Sequence, residues 1–338
     1  MPSSVPVAIG VDIGGTQLRA ATIGGDSEVV ERRRRGTAAQ DEAALLAALR
    51  EVVLELGPGL PVGVGIAGLV APDGTVRYGP NIGVRDLPLA QRLREVTGGV
   101  VVVANDGSTA ALAEQRVGAG RGRQDVLLAT IGTGIGGGVV LGGQVLLGSN
   151  GFAGELGHLI VRAEGRPCPC GNLGCIEAYA SGSAIGAIAR DRLQGSSRAS
   201  DLRDLEEVDG PAVTGAAADG DELAIEVLQE CGRWLGIALA SSVNVLDPEL
   251  ILVGGGAAEA TAPWLLPAAR ASLKSHLVGS PWRDPPPVEL AELGDDAGVV
   301  GAALLALDRD RDHQRPPETE RPVTLGSGDG SVGERRQR

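Results

Sequence analysis

Short apolar runs, most of them closed by glycine, alternate along this chain with longer stretches whose apolar positions recur every three or four residues. Residues 5–11 (VPVAIGV) predict a buried strand. Residues 18–23 and 28–35 predict two more, joined by a turn at Gly24-Gly25-Asp26. Between 41 and 56, Ala44, Leu45, Ala48, Leu49, Val52 and Val53 share one helical face, and Gly57-Pro58 stops the helix. Strands follow at 62–68 and 100–106, then a helix at 107–116. The pattern restarts with strand-like runs at 125–134, 135–141 and 144–147 and helices at 176–194 and 221–245. A buried strand at 249–256, a helix at 263–278, a strand at 288–293 and a helix at 297–308 complete the order. Strand, strand, strand, helix, strand, helix thus occurs twice. That predicts an α/β protein of two domains with a duplicated core and a cleft between them. Residues 195–210 are polar and predict a loop or surface insertion; beyond about 309 the chain is polar, aperiodic and rich in Pro and Gly, which predicts disorder.

Composition narrows the setting. A length of 338 residues suits two domains of roughly 150 each. Aromatic residues are only 2%, so the cores must be built from Ala, Val, Leu and Ile. A net charge of −13 argues against a nucleic-acid surface, which needs a basic face. The N-terminus lacks the basic start and apolar core of a signal peptide, and no apolar run reaches the ~18 residues of a membrane span. Three of the four cysteines lie in one short loop, which reads as metal ligation in a reducing compartment, the cytoplasm, rather than a disulfide scaffold.

Three glycine clusters each follow a predicted strand. In DIGGT (12–16), Gly14 and Gly15 let backbone N–H groups approach an anion, and Thr16 adds a hydroxyl. Asp12 ends the strand where a carboxylate can hold Mg²⁺ through water. Gly132, Thr133 and Gly134 repeat the arrangement, and Gly254, Gly255 and Gly256 end a later strand. Each alone also reads as a tight turn. Together they suit a nucleotide lying across a cleft, phosphates on the two hairpins and adenosine by the third cluster. None fits GxxxxGK[ST], and none opens a helix as GxGxxG, so neither a P-loop nor a dinucleotide fold is indicated.

Asn105-Asp106 closes another strand, where α/β proteins bind ligands. Asp106 there can take the proton of a substrate hydroxyl while Asn105 binds another; either residue also reads as a helix N-cap. His158, Cys168, Cys170 and Cys175 offer one imidazole and three thiolates within 18 residues, a set that suits zinc. Four protein ligands leave no open position, so the metal is structural; the alternative is reduced, unliganded cysteines. Glu155 and Glu177 bracket that set and are placed to accept hydrogen bonds from sugar-like hydroxyls, or are surface acids. Cys231 reads as a small core residue, Arg32 to Arg35 as a solvated strand with alternating faces, and His276 and His313 carry no motif.

These motifs resemble the ROK family of sugar kinases and transcriptional repressors, in the sugar kinase/actin-like superfamily. The resemblance runs from about residue 7 to 308. It rests on VDIGGT (11–16), AND (104–106), LLATIGTGIGGGVVLGGQVLLGSNGFAGELGH (127–158), CPCGNLGCIEAYASG (168–182) and ILVGGG (251–256). It implies two actin-like, ribonuclease H-like domains, 1–118 plus 296–310 and 119–295, the second carrying a zinc loop at 151–177, and a disordered tail at 311–338. It implies ATP as co-substrate, Asp106 as the base on a sugar hydroxyl, and Asn105, Glu155, His158 and Glu177 as sugar ligands. Zinc on His158, Cys168, Cys170 and Cys175, Mg²⁺ near Asp12, phosphates on Gly14, Gly15, Thr16 and on Gly132, Thr133, Gly134, and adenosine near Gly254 to Gly256 follow in the same way. So do dimers or tetramers closing on substrate. Repressors of the family carry an N-terminal helix-turn-helix, for which a first strand near residue 5 leaves no room. Within the family the layout is most similar to bacterial ATP-dependent glucokinases, which implies glucose 6-phosphate as product; kinases of N-acetylmannosamine, N-acetylglucosamine or fructose share the core, and a non-catalytic sugar sensor is the other alternative. Two departures bear on the sugar: Gly107-Ser108-Thr109 where glucokinases usually show Ala-Asn-Ala, and NLGCIEAYASG (172–182) where they usually show NRGCWEQYASG.

Overall fold

In the computed structural model, which describes residues 5–37, 39 and 41–314, the first apolar run becomes the central strand of a sheet. The chain runs β1 (Ala8–Ile13), β2 (Gln17–Ile23), β3 (Val29–Gly36), α1 (Glu42–Leu56) and β4 (Val62–Ile66). It continues through β5 (Leu69–Val70), β6 (Val76–Gly79), β7 (Val84–Leu87), α2 (Leu89–Thr97), β8 (Val101–Asn105) and α3 (Asp106–Val117). The second half holds β9 (Val126–Ile131), β10 (Ile135–Leu141), β11 (Gln144–Val145), α4 (Glu177–Ala180), α5 (Gly182–Gln194), α6 (Gly210–Ala218) and α7 (Glu222–Leu246). Then come β12 (Leu250–Gly254), α8 (Ala258–His276), β13 (Val288–Leu290) and α9 (Ala297–Gln314).

Two five-stranded sheets result, in the orders β3-β2-β1-β4-β8 and β11-β10-β9-β12-β13. They are the same topology: a central strand, an antiparallel hairpin on one side and parallel strands on the other. The duplication expected from the order of elements is therefore real at the level of strand pairing. β1, β4, β9 and β12 are buried nearly throughout, which is why they read as continuous apolar runs rather than alternating ones. β3 is an edge strand, and its arginines alternate. Arg32 pairs with Asp296 at 2.8 Å on one face, while Arg33 and Arg35 reach Glu55 of α1 on the other. Charge on an edge strand also blocks pairing with another chain.

α9 returns from the second sheet to lie across β1 and β4. Gly10 and Gly63 make that approach possible: a Cβ on either would run into the α9 backbone, at Val299 and Ala302 respectively. Small residues here replace the bulk that a chain with so few aromatics lacks, and the packing is backbone against backbone. Cys231 is fully buried in α7, and burial pushes its thiol up to about 12, as suits an inert core residue.

The structure departs from expectation in four places. Residues 69–97, for which the pattern predicted no element, form the three-stranded sheet β5-β6-β7 and α2; strands of two to four residues are too short for periodicity to show. The helix expected at 176–194 breaks into α4 and α5, because Ser181 turns extended and caps α5 by accepting from the Ala184 N–H at 3.1 Å. The loop expected at 195–210 contains a 3₁₀ turn at Asp201–Asp204, and α6 begins at its end, capped by Asp209. Helix α9 continues through Gln314, so residues 311–314 of the expected tail are helical; 315–338 lie outside the described residues.

Gly63→Ala should lower the stability of the protein by about 1–3 kcal/mol, the usual penalty for overpacking a closed core. Gly25→Ala, at a turn with nothing within 4 Å of the added methyl, should leave it unchanged. Denaturant midpoints of the two variants check this; equal midpoints would show that α9 does not pack as described.

Candidate active site

β8 ends at Asn105 and α3 begins at Asp106, so both stand at the carboxyl edge of the first sheet. Asn105 is the N-cap: its Oδ1 accepts from the Ser108 N–H at 3.2 Å, and its Nδ2 donates to the Gly68 carbonyl at 3.2 Å. Asp106 accepts from the Gly107 N–H at 2.9 Å. Of the two readings of this pair, the cap belongs to Asn105, and Asp106 is left with acceptor capacity. No cation pairs with Asp106 among the described residues, and burial pushes its carboxyl above the usual carboxylate range.

Asp12 is the penultimate residue of β1 and lies against the first turn of α9, where Gly298 leaves it room. Arg19 faces it across the β1–β2 pair, with Nη1 at 3.5 Å from Oδ2, and a second Arg19 nitrogen reaches Asp295 at 3.3 Å. Burial, and then the nearby Asp106 charge, push Asp12 up to about 6 despite Arg19. In the hairpin beyond, the Gly14 N–H donates to the Gln17 carbonyl and the Thr37 hydroxyl donates to Gly14 O at 2.7 Å. Gly15 lies beside Asn81, and Thr16 is exposed.

The second hairpin closes with Gly132 N–H on Gly134 O, and the start of α5 docks on it through Gly182 N–H to Gly132 O at 2.8 Å. Gly132, Thr133, Ser183, Arg190, Asp209 and Gly256 line a cavity of about 620 Å³. The second and third glycine clusters thus meet at one cavity, although Gly254 is the buried end of β12 and Gly134 turns toward Glu177. A larger cavity, about 790 Å³, lies between α7 and α8 around Trp234 and Trp264 and holds none of the expected site residues. The smaller cavity is the one that the second and third glycine clusters border.

The loop after β11 brings His158, Cys168, Cys170 and Cys175 together, their ligand atoms all within 4.8 Å of one another. His158 Nδ1 stands 3.8 Å from Cys168 Sγ, and Cys170 Sγ stands 3.7 Å from Cys175 Sγ. A tetrahedral ion with bonds of ~2.3 Å has ligand–ligand edges of ~3.8 Å, so the cluster already has the dimensions of such a site. His158 Nε2 points the other way, 3.9 Å from Glu155 Oε2. Glu177, first residue of α4, accepts from the Ile135 N–H at 3.0 Å and places its other oxygen 3.7 Å from Cys168 Sγ. Burial raises the Glu155 carboxyl; His158 opposes the shift, while Asp106 and Glu177 add to it. Asp106, at the start of α3, is thus close enough to act on Glu155, in the loop after β11.

The approach is made by glycines. Gly138 of β10 faces α3, where a Cβ would stand 2.6 Å from that of Ala111. Gly137 faces the opposite side, where a Cβ would meet Leu156 in the turn that carries Glu155 and His158.

Sequence reasoning missed Arg19, Asp295, Arg190 and Asp209. Asp209-Gly210-Pro211 carried a usable signal, an N-cap followed by proline in the first helical turn, inside a stretch that read as polar loop. Arg19 carried none, since its partner comes from strand pairing.

The ROK family model matches residues 8–309. The chain belongs to the ROK family. A glucokinase of Streptomyces coelicolor is 36% identical to this ROK chain over 314 residues, covering 90% of it and 98% of the relative. An N-acetylmannosamine kinase of Escherichia fergusonii is 32% identical over 302 residues, covering 88% and 97%. The crystal structure of a ROK family glucokinase from Streptomyces griseus, in complex with glucose and AMPPNP, is 35% identical with a TM-score of 0.76, over 89% of this chain and 99% of that one. The ROK chain thus has the fold of ROK sugar kinases, of the actin-like type.

The raised pKa of Asp12 has a stability consequence. A carboxyl titrating at about 6 in the folded protein, against 3.8 when unfolded, contributes stability below pH 3.8 that is lost as pH rises through 6. Without divalent ions, Asp12→Asn should therefore stabilise the protein at pH 7–8, by up to about 3 kcal/mol, and the gain should vanish near pH 4. Urea denaturation of both proteins across that range checks it; a pH-independent difference would disprove it.

Proposed function

We propose that this ROK chain transfers the γ-phosphoryl group of ATP to a hexose hydroxyl, with glucose as substrate and glucose 6-phosphate as product. The observation that carries the reading is the convergence of Asp106 with Glu155, His158 and Glu177 beside a glycine-lined cavity. Asp106 accepts the hydroxyl proton as the sugar oxygen attacks the γ-phosphorus; the bond to the bridging oxygen breaks and ADP leaves. A carboxyl raised by burial is a better base than one at its ordinary value. Asn105, Glu155, His158 Nε2 and Glu177 hold the other hydroxyls and so orient the attacking one.

Gly14, Gly15 and Thr16, with Gly132, Thr133 and Gly134, cradle phosphates through backbone N–H groups, and Gly254 to Gly256 border the adenosine. Asp12 is the residue suited to Mg²⁺, which offsets phosphate charge when bound. His158, Cys168, Cys170 and Cys175 suit zinc, which would fix the His158 ring so that Nε2 faces substrate. Three thiolates fit a reducing, cytoplasmic setting. Division into 1–118 plus 296–310 and 119–295 is supported by three apolar clusters that each lie mainly in one half, with α9 in the first, while a small fourth cluster joins Ala111 of α3 to β9, β10 and β12. Assembly as a homodimer or homotetramer rests on the family resemblance.

N-acetylmannosamine is the second substrate reading, favoured by the relative from Escherichia fergusonii. The departures at 107–109 sit directly beneath the site: Ser108 is bound by the cap, and the Thr109 hydroxyl donates to Asp106 O at 2.8 Å.

Sugar-dependent ADP release, measured with glucose, mannose, fructose, N-acetylglucosamine and N-acetylmannosamine, should be greatest with glucose. Asp106→Asn should lower kcat by about 10³-fold with sugar binding retained. No turnover of any of the five sugars would sink the kinase reading, and a higher kcat/KM for N-acetylmannosamine would replace the substrate. Stripping the metal from the purified protein should release about one zinc per chain and abolish glucose binding. Equal glucose affinity in a metal-free, folded sample would refute that role of the loop.

A further inference from the structure

Glu114 is a buried carboxylate that takes no part in the proposed reaction; it is 1% exposed and lies two turns along α3 from Asp106. It has no ion-pair partner among the described residues. Its partners are backbone. Oε2 accepts from the Ala119 N–H at 3.1 Å. The Glu292 N–H is shared between both oxygens at 3.1 Å, and Oε1 accepts from the Leu293 N–H at 2.8 Å. The backbone of the same residue is engaged as well, the Glu114 carbonyl accepting from Gly118 and Gly120.

The location of those N–H groups gives the cluster its meaning. Ala119 lies in the segment joining α3 to β9, and Glu292 and Leu293 lie in the segment joining β13 to α9. Among the described residues these are the two places where the chain passes between the first sheet's half and the second's. One carboxylate therefore holds both crossings. A carboxylate suits this role, because two acceptor oxygens serve all three N–H groups at once. Burying a charge this way is costly unless every lone pair is used, and here three N–H groups use them.

We propose that Glu114 is a positioning residue for closure of the two halves on substrate. It pins both crossings to the helix that carries Asp106, so the two segments bend about one point and Asp106 moves as a unit with the pivot. This rests on the kinase reading for what closure does. It adds a residue that touches neither substrate but sets where the base stands when the cleft shuts. Freeing one crossing leaves the halves joined but lets them close off register, so Asp106 meets the sugar hydroxyl at the wrong distance.

Two variants act on the clamp through different atoms. Glu114→Gln keeps the shape but has one acceptor oxygen, so its NH₂ is opposed either to the Leu293 N–H or to the Ala119 N–H. Gly118→Ala keeps the carboxylate but adds a methyl 2.9 Å from its Cδ, displacing it. In both, kcat should fall about tenfold or more and KM for glucose should rise, with ADP affinity within about twofold of wild type. The cavity beside Gly256, proposed to border the adenosine, is built wholly from the second half, so the part of ADP affinity it carries should not feel the change. The glucose-induced fall in radius of gyration, measured by X-ray scattering, should shrink in both.

A lowered melting temperature with wild-type kcat, KM and scattering response would make Glu114 a structural residue only and overturn the proposal. If the wild type turns over none of the sugars, the kinase reading fails and amide exchange decides the clamp. Exchange at Ala119 or at Glu292 and Leu293 faster by about 100-fold in Glu114→Gln supports it, and unchanged exchange at all three overturns it.

Discussion

The functional arrangement depends on how closely two backbones can approach β10. Side chains alternate along a strand, so consecutive residues of Gly136-Gly137-Gly138 serve opposite faces. Gly138 admits α3, and Gly137 admits the turn carrying Glu155 and His158. An alanine on either side would hold its neighbour off by an ångström or more (order of magnitude), and alignment of reacting groups degrades over that scale. Gly107 completes the contact from the α3 side, where a Cβ would stand 3.0 Å from Gly137 N. That position departs from the glucokinase pattern. The helix bearing Asp106 can sit nearer to β10 with glycine than with the larger residue, which ties a sequence departure to the placement of the proposed base.

The second constraint is charge. Asp12, Asp106, Glu155 and Glu177 collect around one groove in a chain of net charge −13, with Arg19 and His158 as the nearby positive or protonatable groups. ATP adds further negative charge. A lysine-rich phosphate site would be neutralised by these acids before substrate arrived. Backbone N–H groups on glycine hairpins have no such competition, since they bind anions without carrying a net charge that the acids could pair with. Burial raises both the Asp12 and the Asp106 carboxyls, and the nearby Asp106 charge adds to the shift of Asp12.

Legibility in the sequence followed the range of the interactions. The five-stranded sheets could be read because each central strand is buried on both faces and long enough to show it. The hairpin sheet at 69–87 could not, because strands of two to four residues carry no period. The Cys/His cluster was legible because its four residues lie within one loop. Asp106 and Asn105 were legible as a pair, but their division of labour was not: only the Ser108 N–H and the Gly68 carbonyl, the latter 37 positions away, show which of them is the cap. Arg19, and the clamp from Glu114 to Glu292 and Leu293, lay out of reach for the same reason. Nothing in local sequence marks a carboxylate whose partners are backbone N–H groups 178 and 179 residues on.

Glu177 joins features that lie far apart in the sequence. One oxygen accepts from Ile135, the first residue after the second hairpin, and the other lies beside a cysteine of the metal cluster. The same cysteine loop is stitched to the polypeptide near His158 by the bridge between Ile160 and Cys175. A displacement of the loop therefore cannot leave the hairpin untouched, because the Ile135 N–H would lose its acceptor in a partly buried setting, at a cost of about 1–3 kcal/mol. In the kinase reading the sugar side and the phosphate side then share a single carboxylate. The metal loop is better described as a brace on both substrate sites than as a scaffold for the sugar alone.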